Sequence, residues 1–121
     1  KDNWIGIGIG MSGVNLNMVV SRSYARGEIY FNRGSKEENK WCFDFIEERK
    51  EQIEKEFGEP LIWERMDDKV SCRIKAQLDG VSIFDNQDWG KMISYMVDVS
   101  QRMAKTFHNP VKQLNRKIKS I

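Results

Sequence analysis

The sequence predicts an α+β fold: an antiparallel sheet of about five strands with its helices packed on one face. Two patterns point there. Apolar and polar residues alternate with period two through the opening third of the chain and again over residues 70–78, whereas two other stretches carry apolar residues at spacings of three and four. The connections within the first three strands, and between the last two, are too short for a crossover, so those neighbours must run antiparallel. The order is strand-strand-strand-helix-strand-strand-helix, which gives one sheet and one helical layer.

The first strand opens the chain with Trp4-Ile-Gly-Ile-Gly-Ile-Gly10. Ile5, Ile7 and Ile9 fall on one side, and Trp4, Gly6, Gly8 and Gly10 on the other. Gly8, Gly10 and Gly13 spell G-x-G-x-x-G, the spacing of a dinucleotide-binding loop. That loop needs a helix N-terminus behind it to hold a pyrophosphate. Val14, Leu16, Met18 and Val20 instead alternate with Asn15 and Asn17, which is a second strand. No nucleotide is expected at these glycines. Strand curvature, local packing beneath Trp4 or Tyr30, or a smooth surface for a neighbouring backbone would each account for them.

A turn over residues 21–27 leads to a third strand over residues 28–33, with Ile29 and Phe31 inward. Ser35-Lys-Glu-Glu38 is a capping box that opens a helix. Its apolar stripe is Trp41, Cys42, Phe45, Ile46, Ile53 and Phe57, and Gly58 and Pro60 end it. Residues 61–66 form a fourth strand. The fifth alternates most cleanly, with Val70, Cys72, Ile74, Ala76 and Leu78 facing one way. Asp85-Asn-Gln-Asp88 introduces a second helix with Trp89, Met92, Ile93, Met96, Val99, Met103 and Phe107 on one side. Asn109-Pro110 reads as the start of a short basic terminal helix over residues 110–121. The helices are expected to cover the sheet face that carries Ile5, Ile7, Ile9, Leu16, Ile29, Phe31, Cys72 and Ile74.

The whole chain, 1–121, reads as one domain, and its abrupt entry into a strand suggests a C-terminal piece of a longer protein. No apolar run approaches the roughly 18 residues of a bilayer span, so no membrane partner is expected. Cys42 and Cys72 lack metal-ligand spacing and read as reduced core thiols of a cytoplasmic protein. The one histidine, His108, stands at a helix end without partners for a catalytic set. The D/E-x-K pairs at Glu38–Lys40, Glu48–Lys50 and Asp67–Lys69 fall on a helix or a turn rather than on a strand. No catalytic residue, metal or cofactor is expected.

Charge is distributed unevenly. Residues 36–59 hold nine acidic and five basic side chains, whereas residues 100–121 hold six basic ones and no acid. Arg73 and Lys75 project from the fifth strand away from the helices, beside either Trp63 or Glu64 according to hairpin register. Arg26, Tyr30, Asn15 and Asn17 belong to the same side. Basic, aromatic and amide groups on an open sheet suit single-stranded DNA or RNA, and suit a protein partner nearly as well. With Arg116 and Lys117 of the terminal helix they would form an electrostatic footprint, binding with little sequence preference and steep salt dependence.

Residues Glu51 to Asp68, with Phe57-Gly58, Pro60-Leu61 and Trp63, then Ser71-Cys-Arg-Ile74, carry a family resemblance together with the glycine hairpin and the Asp85–Trp89 helix start. The chain resembles an uncharacterised bacterial and archaeal domain-of-unknown-function family found C-terminal to PD-(D/E)XK-type nuclease-like domains. The resemblance implies an upstream nuclease-like partner domain and, usually, a helix before the first strand. It supplies no catalytic residues. An accessory domain that assists nucleic-acid binding or docks to the catalytic part is one expectation. A protein-interaction or oligomerisation module is the other.

Overall fold

The computed structural model describes residues 3–121. Strands β1 (Asn3–Met11), β2 (Val14–Val20) and β3 (Tyr24–Phe31) form a meander. Helices α1 (Lys36–Glu47) and α2 (Lys50–Phe57) follow, then β4 (Ile62–Glu64), β5 (Cys72–Asp79) and α3 (Trp89–Lys119). The sheet order is β1-β2-β3-β5-β4 and every pairing is antiparallel. This is the α+β layer expected from the sequence, with β3 at its centre.

The hairpin reading of the glycine stretch holds. β1 continues through a bulge between Gly8 and Met11, and the turn itself is Ser12-Gly13. Gly13 takes φ 79°, and a Cβ there would stand 2.7 Å from Cγ of Arg33. Only glycine meets both conditions.

The structure corrects several sequence-based boundaries. β3 begins at Tyr24 rather than Glu28, because the turn is confined to Ser21–Ser23. Ser21 Oγ accepts the backbone N–H of Ser23 and of Tyr24, each at 3.1 Å. Gly27 is thus an extended strand residue, not a turn residue. The predicted single helix over residues 35–57 breaks at Glu48–Arg49 into α1 and α2. Arg49 leaves helical geometry (φ −104°, ψ 17°), lies over the Phe45 ring at 3.9 Å and donates to the Phe45 carbonyl. Trp41, predicted inward, is exposed and stacks on Phe45, while Phe43 takes the core position. Of the flanking signals, Ser35 accepts from Glu38 N–H and Gly58 caps α2 at φ 100°, whereas the Glu38 carboxylate, the other half of the expected capping box, accepts from Arg33 Nε.

No separate terminal helix starts at Pro110, which lies inside α3. A proline in a helix interior costs about 3 kcal/mol. Burial of Val99, Met103, Phe107, Val111 and Leu114 along one continuous face outweighs it.

The core lies between the helices and one sheet face, where Leu16, Ile29, Phe31, Cys72 and Ile74 are buried. α3 crosses that face obliquely. Met92 packs in a cluster with Ala25, whereas Asn115 Nδ2 reaches the Gly10 carbonyl at the far end of β1. β1 is therefore covered at one end only. Ile9 joins the core, but Ile7 is 44% and Ile5 67% exposed, against the expectation that both lie beneath helices. Val70 is likewise exposed, since β5 starts two residues later. Among the described residues, no helix is long and apolar enough to cross a membrane.

Candidate functional site

The sheet face turned away from the helices is bare, and the strand registers lay it out as a grid. One row runs Trp4, Val19, Arg26, Gln77. The next runs Gly6, Asn17, Glu28, Lys75, Ile62, and the third runs Gly8, Asn15, Tyr30, Arg73, Glu64. A shallow depression of about 440 Å³ is lined by Trp4, Asn15, Asn17, Arg26, Glu28, Tyr30, Asn32 and Arg73, among others. The sequence thus identified most of this surface. Its glycines floor one side: a Cβ on Gly8 would meet nothing within 4 Å, whereas one on Gly6 would stand 3.2 Å from the Trp4 ring.

The electrostatics differ from the expected basic footprint. Glu28, at the centre of the central strand, is 3% exposed. Its Oε1 lies 2.8 Å from Arg26 Nε and 3.6 Å from an Arg73 nitrogen. Glu64 stands 3.4 Å from both Arg73 Nε and Lys75 Nζ. Every cation that the sequence assigned to this face is therefore held against a carboxylate. Some of these pairs are close without being in line. Arg26 Nε, Arg73 Nε, Glu28 Oε1, Asn17 Oδ1 and Gln77 Oε1 are buried without a hydrogen-bond partner. All five belong to this one face.

Trp63 does not belong to the face. The register pairs it with Ile74, leaving Glu64 beside Arg73. Its ring meets Phe43 edge-on at 6.1 Å, and its Nε1–H donates to Glu54 Oε2 at 2.9 Å. Arg116 and Lys117 are exposed in the last turn of α3, in the helical layer, and are not brought together with Arg73 and Lys75. Glu28 was missed by sequence reasoning. The available signal was an acid at an outward position of the middle strand, two residues from Arg26.

The other chemical candidates are structural. Glu38 pairs with Arg33 at 2.6 Å. Lys40 is buried, with Nζ donating to the carbonyls of Arg65, Met66 and Ser71. Burial pushes the Cys42 thiol up to about 11 and raises that of Cys72, so neither is a thiolate near neutral pH. His108 is exposed on α3.

Fold and face together define an α+β domain that presents one uncovered, polar and aromatic sheet surface built around a buried carboxylate. The chain belongs to the family described as a domain of unknown function (DUF4268), whose model matches residues 1–111. Neither a curated protein nor a solved structure matches it.

Proposed function

We propose that this is a non-catalytic accessory domain of a nuclease-associated bacterial protein, and that its open sheet face takes up single-stranded nucleic acid. One observation carries the reading: Trp4, Tyr30, three asparagines and two arginines converge on a single depression of an uncovered antiparallel sheet. Flat aromatic rings stack bases, and amide and guanidinium groups reach base edges and phosphates. The family resemblance supplies the setting, a nuclease-like domain upstream in the same protein. Two buried, unlinked thiols accord with a reducing cytoplasm.

Because Glu28 and Glu64 hold the cations of the face, few phosphates are neutralised and stacking carries the affinity. Fluorescence anisotropy with single- and double-stranded oligonucleotides tests this. Single strands should bind better than duplex, with a logarithmic salt slope of about one to two, the value for one or two phosphate contacts. Flat curves for both at about 50 mM salt, where screening is weak, would remove the reading.

A protein-docking role is the second reading, and a different surface favours it. Trp89, Ile93 and Val97 form an exposed apolar stripe at four-residue spacing on α3, with Phe84 exposed just before it. Such a stripe suits a neighbouring domain or a second copy of the chain. This role predicts no oligonucleotide binding, and loss of association when Ile93 and Val97 become serine.

A further inference from the structure

We propose that β1 is the interface edge of a symmetric homodimer, pairing antiparallel with β1 of a second copy about a two-fold axis at Gly6. The pairing gives the docking reading above a partner, and rests on that reading for what α3 contributes.

The sheet has two edges, β1 and β4, and they are built differently. Exposed edges invite pairing with other chains, and native proteins blunt them with short strands and charge. β4 is three residues long, and its Glu64 stands 3.4 Å from Arg73 and Lys75. β1 spans nine residues, Asn3–Met11, without a charged side chain or a proline. Its regular part runs to Gly8, where the bulge begins. Trp4 is 65% exposed there, and Ile5 and Ile7 stand open as well.

Ile5 and Ile7 face the helical layer beside an uncovered flank of α3. Ile5, Met18 and Gly27 form one cross-strand row, and Val99 of α3 stands over Gly27 and Met18. Ile5 is thus the next position outward from α3. One flank of α3 meets the end of α2, where Arg102 donates to the Phe57 carbonyl and pairs with Glu59. Ile93, about two and a half turns from Arg102, lies on the opposite flank with Val97, and both are more than half exposed. Two copies joined at β1 bring Ile5, Ile7, Ile93 and Val97 of each into one shared cluster. With Trp4 and the strand backbone these supply on the order of the 800 Å² that each partner of a stable dimer buries.

The glycines select the register. A two-fold axis normal to the sheet keeps both helical layers on one side and centres the pairing on one residue. Centred on Ile5, it would set Trp4 against Gly6 of the second copy, a place that copy's own Trp4 ring fills, 3.2 Å from the Cβ position. Centred on Ile7, it would set Trp4 against Gly10, inside the bulge. Centred on Gly6, it sets Ile5 against Ile7, and Trp4 against Gly8, where a Cβ meets nothing within 4 Å. An aromatic ring laid across a strand glycine is a stabilising cross-strand pair.

Sedimentation equilibrium at about 100 µM, above the micromolar weak limit for interfaces of this size, should give twice the mass of the chain. Ile5→Lys, at an exposed position, should keep the helical circular dichroism. It should weaken association about a hundredfold or more, because both copies lose a buried isoleucine. Ile5→Cys protein mixed with Ile7→Cys protein should form a disulfide-linked dimer under mild oxidation, since opposite strand residues stand about 5 Å apart. Neither variant alone should do so, because its two cysteines would lie on a diagonal of about 7–8 Å. A folded chain that sediments as a monomer would overturn self-pairing and leave docking of another domain on α3 standing. A dimer untouched by Ile5→Lys would overturn β1 as its interface. Crosslinking of Ile5→Cys protein with itself would overturn the register at Gly6.

Discussion

The Cβ that Gly27 lacks would stand 2.5 Å from Cγ1 of Val99, so α3 rests directly on the backbone of the central strand. Met18 closes the same contact, its Sδ 3.3 Å from that point. Val99 is fully buried and β-branched, so it cannot rotate aside. Gly27→Ala should therefore destabilise the domain by about 1–3 kcal/mol, as overpacking does. In the double variant with Val99→Ala the loss should be smaller than the sum of the two single losses. Additive losses in chemical denaturation would mean that the contact is not the cause.

Pro110 removes one N–H from the interior of α3 without bending the chain out of its helix. Pro110→Ala should raise stability, by at most about 3 kcal/mol. The gain is partly offset because alanine also frees the unfolded chain. An unchanged or lowered melting temperature would contradict this account of the residue.

Lys40 is a buried cation whose ammonium donates to three backbone carbonyls and to the Cys72 sulfur. Together with Asn39, whose Nδ2 donates to the Val70 carbonyl at 2.9 Å, it ties the loop of residues 65–71 to α1. Met66 in that loop holds φ 55°, a left-handed conformation that needs such support. Lys40→Met should cost about 2–4 kcal/mol by orphaning those carbonyls. It should also raise amide exchange in residues 65–71 before other segments. Uniform exchange across the domain would argue against a local role.

Glu54 accepts the Leu61 N–H at 2.8 Å and the Trp63 indole N–H at 2.9 Å. Those bonds, the Leu61 backbone first, hold its carboxyl below the ordinary 4.5. A depressed folded-state value stabilises the protein at any pH above about 4.5, and the contribution is lost as pH falls through the folded value. Glu54→Gln should lower stability at neutral pH and flatten the acid limb of the stability profile. An acid limb parallel to that of the parent would show that other carboxyls set it.

Period and punctuation made most of the fold legible. The alternation of Cys72, Ile74 and Ala76 needs only a half-buried strand, and Ser35 and Gly58 act through their own side chain or lack of one. What failed depended on distant partners. A glycine in extended backbone under a helix reads in one dimension like a turn, which is why the sequence puts Gly27 in the turn and starts β3 four residues late, at Glu28. Proline reads as a stop, yet the buried face through Phe107 and Val111 carried α3 across Pro110. On the candidate face, Arg26, Tyr30, Arg73 and Lys75 followed from parity alone. The side taken by Trp63 depended on a register that no spacing fixes. The central place of Glu28 required knowing that β5 pairs with β3.

That pairing also has a consequence in time. β1, β2 and β3 are joined by short turns, so their pairing is local and fast, whereas β5 must return across the 40 residues between Phe31 and Cys72. Trp4, Asn17 and Glu28 can therefore be in register while Arg73 is still absent. During that interval Glu28 faces water with Arg26 alone, and the arrival of β5 both completes the surface and seals its carboxylate.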